Sequence, residues 1–529
     1  MTESWRVWRP CILLPRPVQA TILSNNLTHF YCSSMTITNL IRSALQHEIK
    51  STGKLQCLKL SRAIDARSLY HVGHQHADTI FAVATAQGKA GVAVIRISGP
   101  DAQQVLTAIA SRPSPPSPRQ MVVATLRDPK TREPLDRAMV VSFPGPRSFT
   151  GEDIVELHAH GGPAVVKSIL GALAKLRGFR MAERGEFVQR SFLNGKLNLT
   201  EVEGIKDLVN AETDAQRRQA LRQSEGELGN LYEEWRTIIV LSMGHMEAMI
   251  DFGEDEQFED GVWESTQFRI QQLRTAINTH LDDGRRGEIL RSGIRTTIFG
   301  PVNSGKSSLL NYLARRRVAI VSDIPGTTRD VVESLVDIGG YPVLLGDTAG
   351  LRTADDPVER IGIEIAHERL KGETDLKIAV VDVTRPRSQL RALKPWLDQA
   401  TVVVLNKVDM LELGSEMLDE WVRDAKQLTP HVVAVSVKNQ QGLDQFIRML
   451  EKLLADHYGR QDGPALTNER HRSHLVRCVD HLGRFLAEED VVLAAEELRR
   501  AAQCVGAITG AVDVEEVLDV VFRDFCIGK

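Results

Sequence analysis

Paired cysteines, long apolar runs and an excess of basic charge are all missing from this sequence. Its six cysteines (Cys11, Cys32, Cys57, Cys478, Cys504, Cys526) form no Cys-x-x-Cys pair. That argues against a disulfide framework or a zinc knuckle and fits a reducing compartment. No uninterrupted apolar stretch reaches the roughly 18 residues of a membrane-crossing helix. The net charge is -4 over 529 residues, so a nucleic-acid partner has to be held by local patches rather than by a basic whole. What is present is ordinary globular protein, 42% hydrophobic and 25% charged, with a length that suits three or four domains.

Composition divides the chain. Residues 1–77 hold nine Lys/Arg against three acids and are rich in Ser and Thr, the bias of an organelle-targeting extension. "HVGHQH" (His71, His74, His76) has no Cys or carboxylate close by and reads as a solvated junction rather than a metal site. Residues 78–195 alternate short β-type runs with Gly turns, as an α+β domain does. Residues 196–290 read as helical: Thr200 with Glu203 three positions on suggests a capping box, and Val202, Ile205, Leu208 and Val209 recur at helical spacing. "GRRGEILRSG" (284–293) reads as a linker. Residues 291–458 alternate β and α segments, as in a doubly wound sheet. Residues 459–529 open with a second linker, "GRQDGPALTNE", and return to helix, with Leu486, Val492, Leu493 and Leu498 on one stripe. The expectation is a nucleotide-binding domain inserted into a discontinuous helical domain, with the two linkers close together.

The inserted segment carries the chemistry. "GPVNSGKSS" places Gly300, Gly305, Lys306 and Ser307 in the G-x-x-x-x-G-K-[ST] pattern. Its backbone N–H groups, from Asn303 and Ser304 through Ser308, can curl around phosphates, while Lys306 reaches the terminal phosphates and Ser307 ligates Mg²⁺. Asp347-Thr348-Ala349-Gly350 follows the apolar run "YPVLL"; Asp347 can approach the metal and Gly350 can sense the γ-phosphate. "NKVD" (Asn406, Lys407, Asp409) follows "TVVVL", and its carboxylate can accept two hydrogen bonds that guanine offers and adenine does not. "SVK" (Ser436, Val437, Lys438) completes the base pocket. "SDIPGTTRD" (322–330) lies where a switch loop belongs, with Thr328 as its Mg²⁺ ligand. Four motifs, each at the carboxyl end of an expected strand, place ligands where an α/β sheet binds them.

One piece is missing. The residue after Gly350 is Leu351, where Ras-like GTPases keep a glutamine that orients the attacking water. A cation and a water-positioning group must then come from elsewhere. Arg352, Arg329 and Glu359 are the charged candidates nearby, and the Glu359 carboxylate can orient a water.

These residues resemble a known family, the tRNA-modification GTPases called MnmE or TrmE. The matching stretches run from about residue 78 to the end: "GKAGVAVIRISG", "SFTGEDIVELHAHGGP", "ERGEFVQRSFLNGKLNLTEVEGIKDLVNAET", "GTTRD", "DTAGLR", "VERIGIE" and "FCIGK". The resemblance implies an N-terminal domain that binds a folate and dimerises, a discontinuous helical domain, and a Ras-like P-loop domain whose copies pair across their switch regions. It implies that K⁺ stands in for an arginine finger, held by Asn303, Ser322, the backbone of Ile324, and Thr327. It makes Glu359 the water-orienting residue, beside Arg352 and Thr328. It places 5-formyltetrahydrofolate, or a related tetrahydrofolate, against Arg96, Glu156, Lys196 and Lys529, and marks Cys526 as a terminal cysteine that is either reactive or inert. Three positions depart from the family pattern: Val302 stands where a proline is usual before Asn303, Ser304 stands where an alanine is usual after it, and Ser322 replaces a threonine.

The function so implied is a GTPase in the mitochondrial matrix. With an FAD-dependent partner resembling MnmG/GidA, it would modify carbon 5 of the wobble uridine of mitochondrial tRNA, giving a carboxymethylaminomethyl or taurinomethyl group. The alternatives are a GTP switch in mitochondrial ribosome assembly, which predicts an appended RNA-binding module, and a folate enzyme with a vestigial nucleotide domain.

Overall fold

Strand β1 (Thr79–Val83) opens a six-stranded sheet with β2 (Ala90–Ser98), β3 (Val122–Arg127), β4 (Pro134–Phe143), β5 (Ile154–Gly161) and β6 (Phe179–Met181). The structure, a computed structural model, describes residues 78–112, 116–252, 261–283, 285–315, 334–345, 374–411, 416–459, 464–511, 525 and 528. The basic extension and its three histidines lie outside the described residues. The sheet order is β3-β4-β5-β2-β1-β6, antiparallel except for β1 with β6. In "IVELHAHG" the buried residues Val155, Leu157 and Ala159 alternate with Glu156 and His158 on the other face. One face therefore carries the core, with α1 (Gln104–Ala108) and α2 (Pro163–Leu173) contributing to it. The opposite face carries Arg96 and Glu156, and α3 (Glu186–Leu193) supplies Phe187 there.

Helix α4 (Leu199–Asn210) is capped two residues earlier than expected. Asn198 is the N-cap: its Oδ1 accepts from Glu201 N at 2.8 Å, and Glu201 Oε2 accepts from Asn198 N at 2.6 Å. Thr200 is already inside the helix and Glu203 is buried, so neither performs the capping assigned from spacing. Asn198-x-x-Glu201 satisfies the same rule, and the burial of Leu199 puts the start there. Helix α5 (Asp214–Ser224) follows with its own box, Thr213 and Gln216.

Helices α6 (Glu227–Phe252) and α7 (Val262–Leu281) share a single core with two later helices. Between them, 284–293 is not the linker expected: Arg286–Ser292 is a helix, α8. Gly287 allows it to lie against Leu466, whose carbonyl oxygen a Cβ would strike.

The second sheet follows, from β7 (Ile294–Phe299), α9 (Lys306–Ala314), β8 (Ser334–Ile338), β9 (Tyr341–Leu345), β10 (Leu376–Asp382), α10 (Pro386–Leu393), β11 (Val402–Asn406), α11 (Glu416–Lys426), β12 (Val432–Val435) and α12 (Leu443–Tyr458). Its order is β12-β11-β10-β7-β9-β8, parallel apart from the β8–β9 hairpin. The central strands read as unbroken apolar runs, "IAVV" and "VVVL", because cores on both faces bury them.

Helices α13 (Glu469–Ala487) and α14 (Val491–Thr509) complete the four-helix core. Asp490 caps α14 through Val492 N and Leu493 N, so Val492 and Leu493 lie in an exposed first turn. The expected stripe keeps only Leu498 fully buried and Leu486 partly so. Among the described residues no helix is long and apolar enough to cross a membrane.

The ends of the inserted sheet domain meet in a polar clamp. Arg472 donates to Leu281 O at 2.7 Å, Asp283 at 2.8 Å and Glu288 at 2.8 Å. Beneath it, the buried Glu203 carboxylate sits 2.7 Å from His471 and 3.0 Å from Arg470. Burial pushes the Glu203 pKa up, but the opposing pull of His471 and Arg470 is larger and holds it down to about 2. The folded value lies below the unfolded one, so this carboxylate stabilises the fold above about pH 4.5 and loses that contribution as pH falls toward 2. Glu203→Gln leaves the Arg470 guanidinium without its counter-charge, whereas burial holds the His471 pKa below its ordinary value. The substitution should lower stability by roughly 3–5 kcal/mol, read as a shifted urea midpoint at neutral pH.

Candidate functional site

Three of the four nucleotide motifs fall on described residues, and they converge at the carboxyl edge of the second sheet. The loop between β7 and α9 bends sharply, with Asn303 at φ 61° and Gly305 at φ 100°. A side chain at Gly305 would collide with the Asn406 amide, so the glycine is required both by its conformation and by the close approach of β11. Helix α9 begins at Lys306, so its unpaired N–H groups face the loop, an arrangement suited to phosphate oxygens. Lys306 Nζ lies in that curve, donating to Gly300 O at 3.0 Å and Pro301 O at 2.8 Å. Ser304 is buried, while Ser307 and Ser308 are exposed at the mouth.

Asn406 ends β11 and joins the two halves of the site. Its Nδ2 donates to Ser304 O at 2.8 Å, and its Oδ1 accepts from Val437 N at 3.2 Å. The phosphate loop and the base loop are thus held by one side chain. Lys407 takes a left-handed conformation and reaches back to Asp382 Oδ2 at 2.6 Å. Burial raises the Asp382 pKa, but Lys407 and Thr384 outweigh it, and the net shift is downward. Asp409 Oδ1 accepts from Ser436 Oγ at 2.5 Å, which fixes the carboxylate's position. Ser436 Oγ accepts from Asn439 N at 3.1 Å, and the backbones of Ser436 and Gln441 exchange two hydrogen bonds. Lys438 is exposed on the rim.

The hold of Asp382 on Lys407 and the bond from Asn406 to Ser304 O were not visible in the sequence. The partners stand 25 and 102 positions apart, and no local pattern announces them. Asn406→Ala would strand the buried Ser304 carbonyl and the half-buried Val437 N–H at once. It should weaken guanine-nucleotide binding by about 10- to 100-fold, measured by titration calorimetry, with little loss of folded protein.

Several expected site residues lie outside the described residues: Ser322, Ile324, Thr327, Thr328, Asp347, Thr348, Ala349, Gly350, Arg352 and Glu359, together with Cys526 and Lys529. Among the described residues no group of three His, Cys, Asp or Glu is placed to hold a metal ion.

A second polar cluster lies on the first sheet. Arg96 and Glu156 are direct partners across β2 and β5, joined by an Nε to Oε1 hydrogen bond of 2.9 Å. The Arg96 guanidinium stands over two rings, 5.3 Å from the centre of Phe149 and 5.9 Å from that of Phe187. Both distances lie within reach of a cation–π attraction, which holds the guanidinium over the rings. Lys196 reaches the same loop from outside, donating to Pro146 O at 3.1 Å. That loop is fixed from below: Ser191 Oγ donates to Phe149 O, Asn194 Nδ2 to Thr150 O, each at 2.7 Å. The fully buried Arg190 joins Glu152, Asp78 and Glu186. Gly528 lies against the carbonyl of Val83, where β1 ends, and Phe525 is buried among Val188, Phe192, Leu199 and Val202.

Comparison with known proteins gives matches to both parts of this architecture. The family described as "GTP-binding protein TrmE N-terminus" matches residues 79–196, and the one described as "MnmE helical domain" matches residues 199–526. A Homo sapiens protein named 5-taurinomethyluridine-[tRNA] synthase subunit GTPB3, mitochondrial, is 47% identical over 466 residues, covering 85% of this chain and 93% of its own. The Danio rerio protein of that name is 44% identical over 489 residues, covering 89% and 97%. The tRNA modification GTPase MnmE of Parvibaculum lavamentivorans is 47% identical over 458 residues, covering 85% of this chain and all of its own.

Proposed function

The chain belongs to the MnmE/TrmE family of tRNA-modification GTPases, and from that premise we propose that it acts in mitochondria on the wobble uridine of tRNA. It is a GTPase of tRNA modification. In this reading it works with an FAD-dependent partner to install an aminomethyl-type group at carbon 5, and the taurinomethyl product is the one favoured by the names of its animal relatives. The observation that carries the GTP assignment is Asn406, which binds the phosphate loop to the base loop and leaves Asp409 beside it to select guanine.

Each residue then has a physical task. Lys306 and the N–H groups at the start of α9 hold the phosphates, and Ser307 offers its hydroxyl to Mg²⁺ with Thr328. Asn303, exposed at the bend of the loop, offers its amide oxygen to K⁺, together with Ser322, Ile324 O and Thr327; the ion would supply the positive charge that Leu351 leaves wanting. Arg352 adds charge nearby. Glu359 orients the attacking water. Glu359→Ala should keep GTP affinity and lower single-turnover hydrolysis by roughly 10²-fold or more, the range for a lost water-positioning group. Hydrolysis at the wild-type rate would remove Glu359 from the mechanism.

The Arg96–Glu156 pair suits a folate, which would supply the one-carbon unit. Glu156 can accept from a donor edge, and Arg96 and Lys196 can meet an acceptor or a carboxylate, with Lys529 and Cys526 nearby in sequence to the packed Gly528. A homodimer is supported by the sheet face beside this pair. Val123, Met139, His158 and Val94 form one row across four strands, and Val123 and Met139 are exposed on it. Such an apolar row on a solvated face marks a contact surface.

The test is reconstitution. The purified chain with its FAD-dependent partner, unmodified mitochondrial tRNA, GTP, a tetrahydrofolate one-carbon donor, an amine such as taurine to supply the nitrogen, and a reductant for the flavin should yield a modified wobble uridine. Omitting GTP, or substituting Lys306→Ala, should abolish the product. Product formation independent of GTP would overturn the reading.

A further inference from the structure

Helix α5 connects two places that the reaction must keep in step. Its first end meets the turn of the hairpin β8–β9 at the amino edge of the sheet, while the hairpin's other end leads in sequence to the switch residues Thr328 and Asp347. Ala215 N donates to Gly340 O in the hairpin turn at 3.0 Å. The Ala215 side chain is buried in the same core as Val336, Ile338 and Tyr341. Gly340 is held at φ 88° and donates to Asp337 Oδ1 at 2.6 Å, and its open face stands 3.7 Å from Asp214 Cβ. The turn and the helix tip therefore touch through one hydrogen bond and one small buried side chain.

The other end of α5 meets α4 as closely as backbones can. A Cβ added to Gly204 would stand 2.5 Å from Ser224 N and 2.8 Å from the carbonyl carbon of Gln223. Helix α4 in turn puts Leu199 and Val202 into the cluster with Phe192 and Phe525, against which Phe149 also packs. Phe149 is the ring under Arg96. Between its ends α5 is braced against α8, the helix that leads into β7: Gln216 donates to Arg291 O at 3.1 Å and Gln219 to Gly287 O at 2.9 Å. At 11 residues the helix spans about 16 Å. A helix tied at both tips moves as a rod, and close-packed contacts pass on small displacements.

We propose that α5 is the coupling rod of this protein. It reads the nucleotide state at the β8–β9 turn through Ala215 and passes it through Gly204 to α4 and the Phe149–Arg96 pair. Ala215 and Gly204 are positioning residues in this scheme and touch neither nucleotide nor cofactor. The proposal rests on the reading that GTP turnover is linked to tRNA modification.

Hydrogen exchange on the full chain tests it, comparing the GDP state with one holding a non-hydrolysable GTP analogue. In the wild type, exchange in 199–210 should differ between the two states. Ala215→Glu puts a carboxylate into the hairpin contact, and Gly204→Ala forces α4 off α5. Both variants should bind and hydrolyse GTP as the wild type does yet lose the nucleotide-dependent difference in 199–210. Both should also slow tRNA modification at least about fivefold, the lower end of a site–site coupling. Ala215→Ser, small enough for the contact, should keep both. If Ala215→Glu lowers GTP affinity by damage to the sheet, Gly204→Ala, whose neighbours lie in α5 rather than in the sheet, decides. No nucleotide-dependent difference in the wild type would refute the coupling itself. A difference that persists in both variants, with modification intact, would refute α5 as its route.

Discussion

GTP hydrolysis by this protein should be fast in potassium and slow in sodium at equal ionic strength. Leu351 leaves the γ-phosphate without the glutamine of Ras-like enzymes, and an unassisted P-loop site turns over on the order of 10⁻⁴ s⁻¹. A cation placed against the phosphates recovers roughly 10³- to 10⁵-fold. An ion of the wrong radius fits poorly among fixed oxygens, so rubidium should rescue in part and lithium should not. Asn303 sits at the exposed bend of the phosphate loop, where its amide can reach an ion outside the curve that holds Lys306. Asn303→Ala should therefore abolish the potassium response and leave Mg²⁺-GTP binding intact. Potassium should also promote pairing of the nucleotide domains with GDP and aluminium fluoride, followed by light scattering. Equal rates in the two salts, with no pairing, would mean that the charge comes from an arginine on a partner.

Asp409→Asn should move nucleotide preference from GTP toward xanthosine triphosphate. The carboxylate is held by Ser436 at 2.5 Å and presents acceptors to the two N–H groups of the guanine edge. Asparagine replaces one acceptor with a donor, which clashes with guanine's amino group and suits the carbonyl that xanthine carries there. Loss of a charged hydrogen bond plus an unmatched donor should weaken GTP binding by about 10² or more. Competition binding with the two triphosphates measures the switch, and undiminished GTP preference would remove "NKVD" as the base selector.

What the sequence made legible follows a physical division. Gly300, Gly305, Lys306, Asn406 and Asp409 were readable because a loop that wraps phosphate or faces a base needs those residue types at fixed spacing. The strands of the second sheet were readable because burial on both faces demands apolar runs. Contacts between remote segments left no such trace. Nothing in the sequence ties Asn406 to Ser304, Lys407 to Asp382, or Ala215 to Gly340. Local patterns also misled where two readings fit: Asn198–Glu201 and Thr200–Glu203 are equally good capping boxes on paper, and burial of Leu199 chose the first. Glu203 looked like a cap and is a buried partner of His471 and Arg470. The charged, glycine-flanked stretch 284–293 reads as a linker, yet Arg286–Ser292 within it is a helix, because it packs on α5 and on Leu466.

If this GTPase acts on the tRNA wobble base, mass spectrometry of mitochondrial tRNA nucleosides from cells lacking the gene should find unmodified uridine in place of the 5-substituted nucleoside, restored by the wild-type gene and not by Lys306→Ala. A full complement of the modified nucleoside in those cells, with mitochondrial ribosomes failing to assemble, would contradict that action.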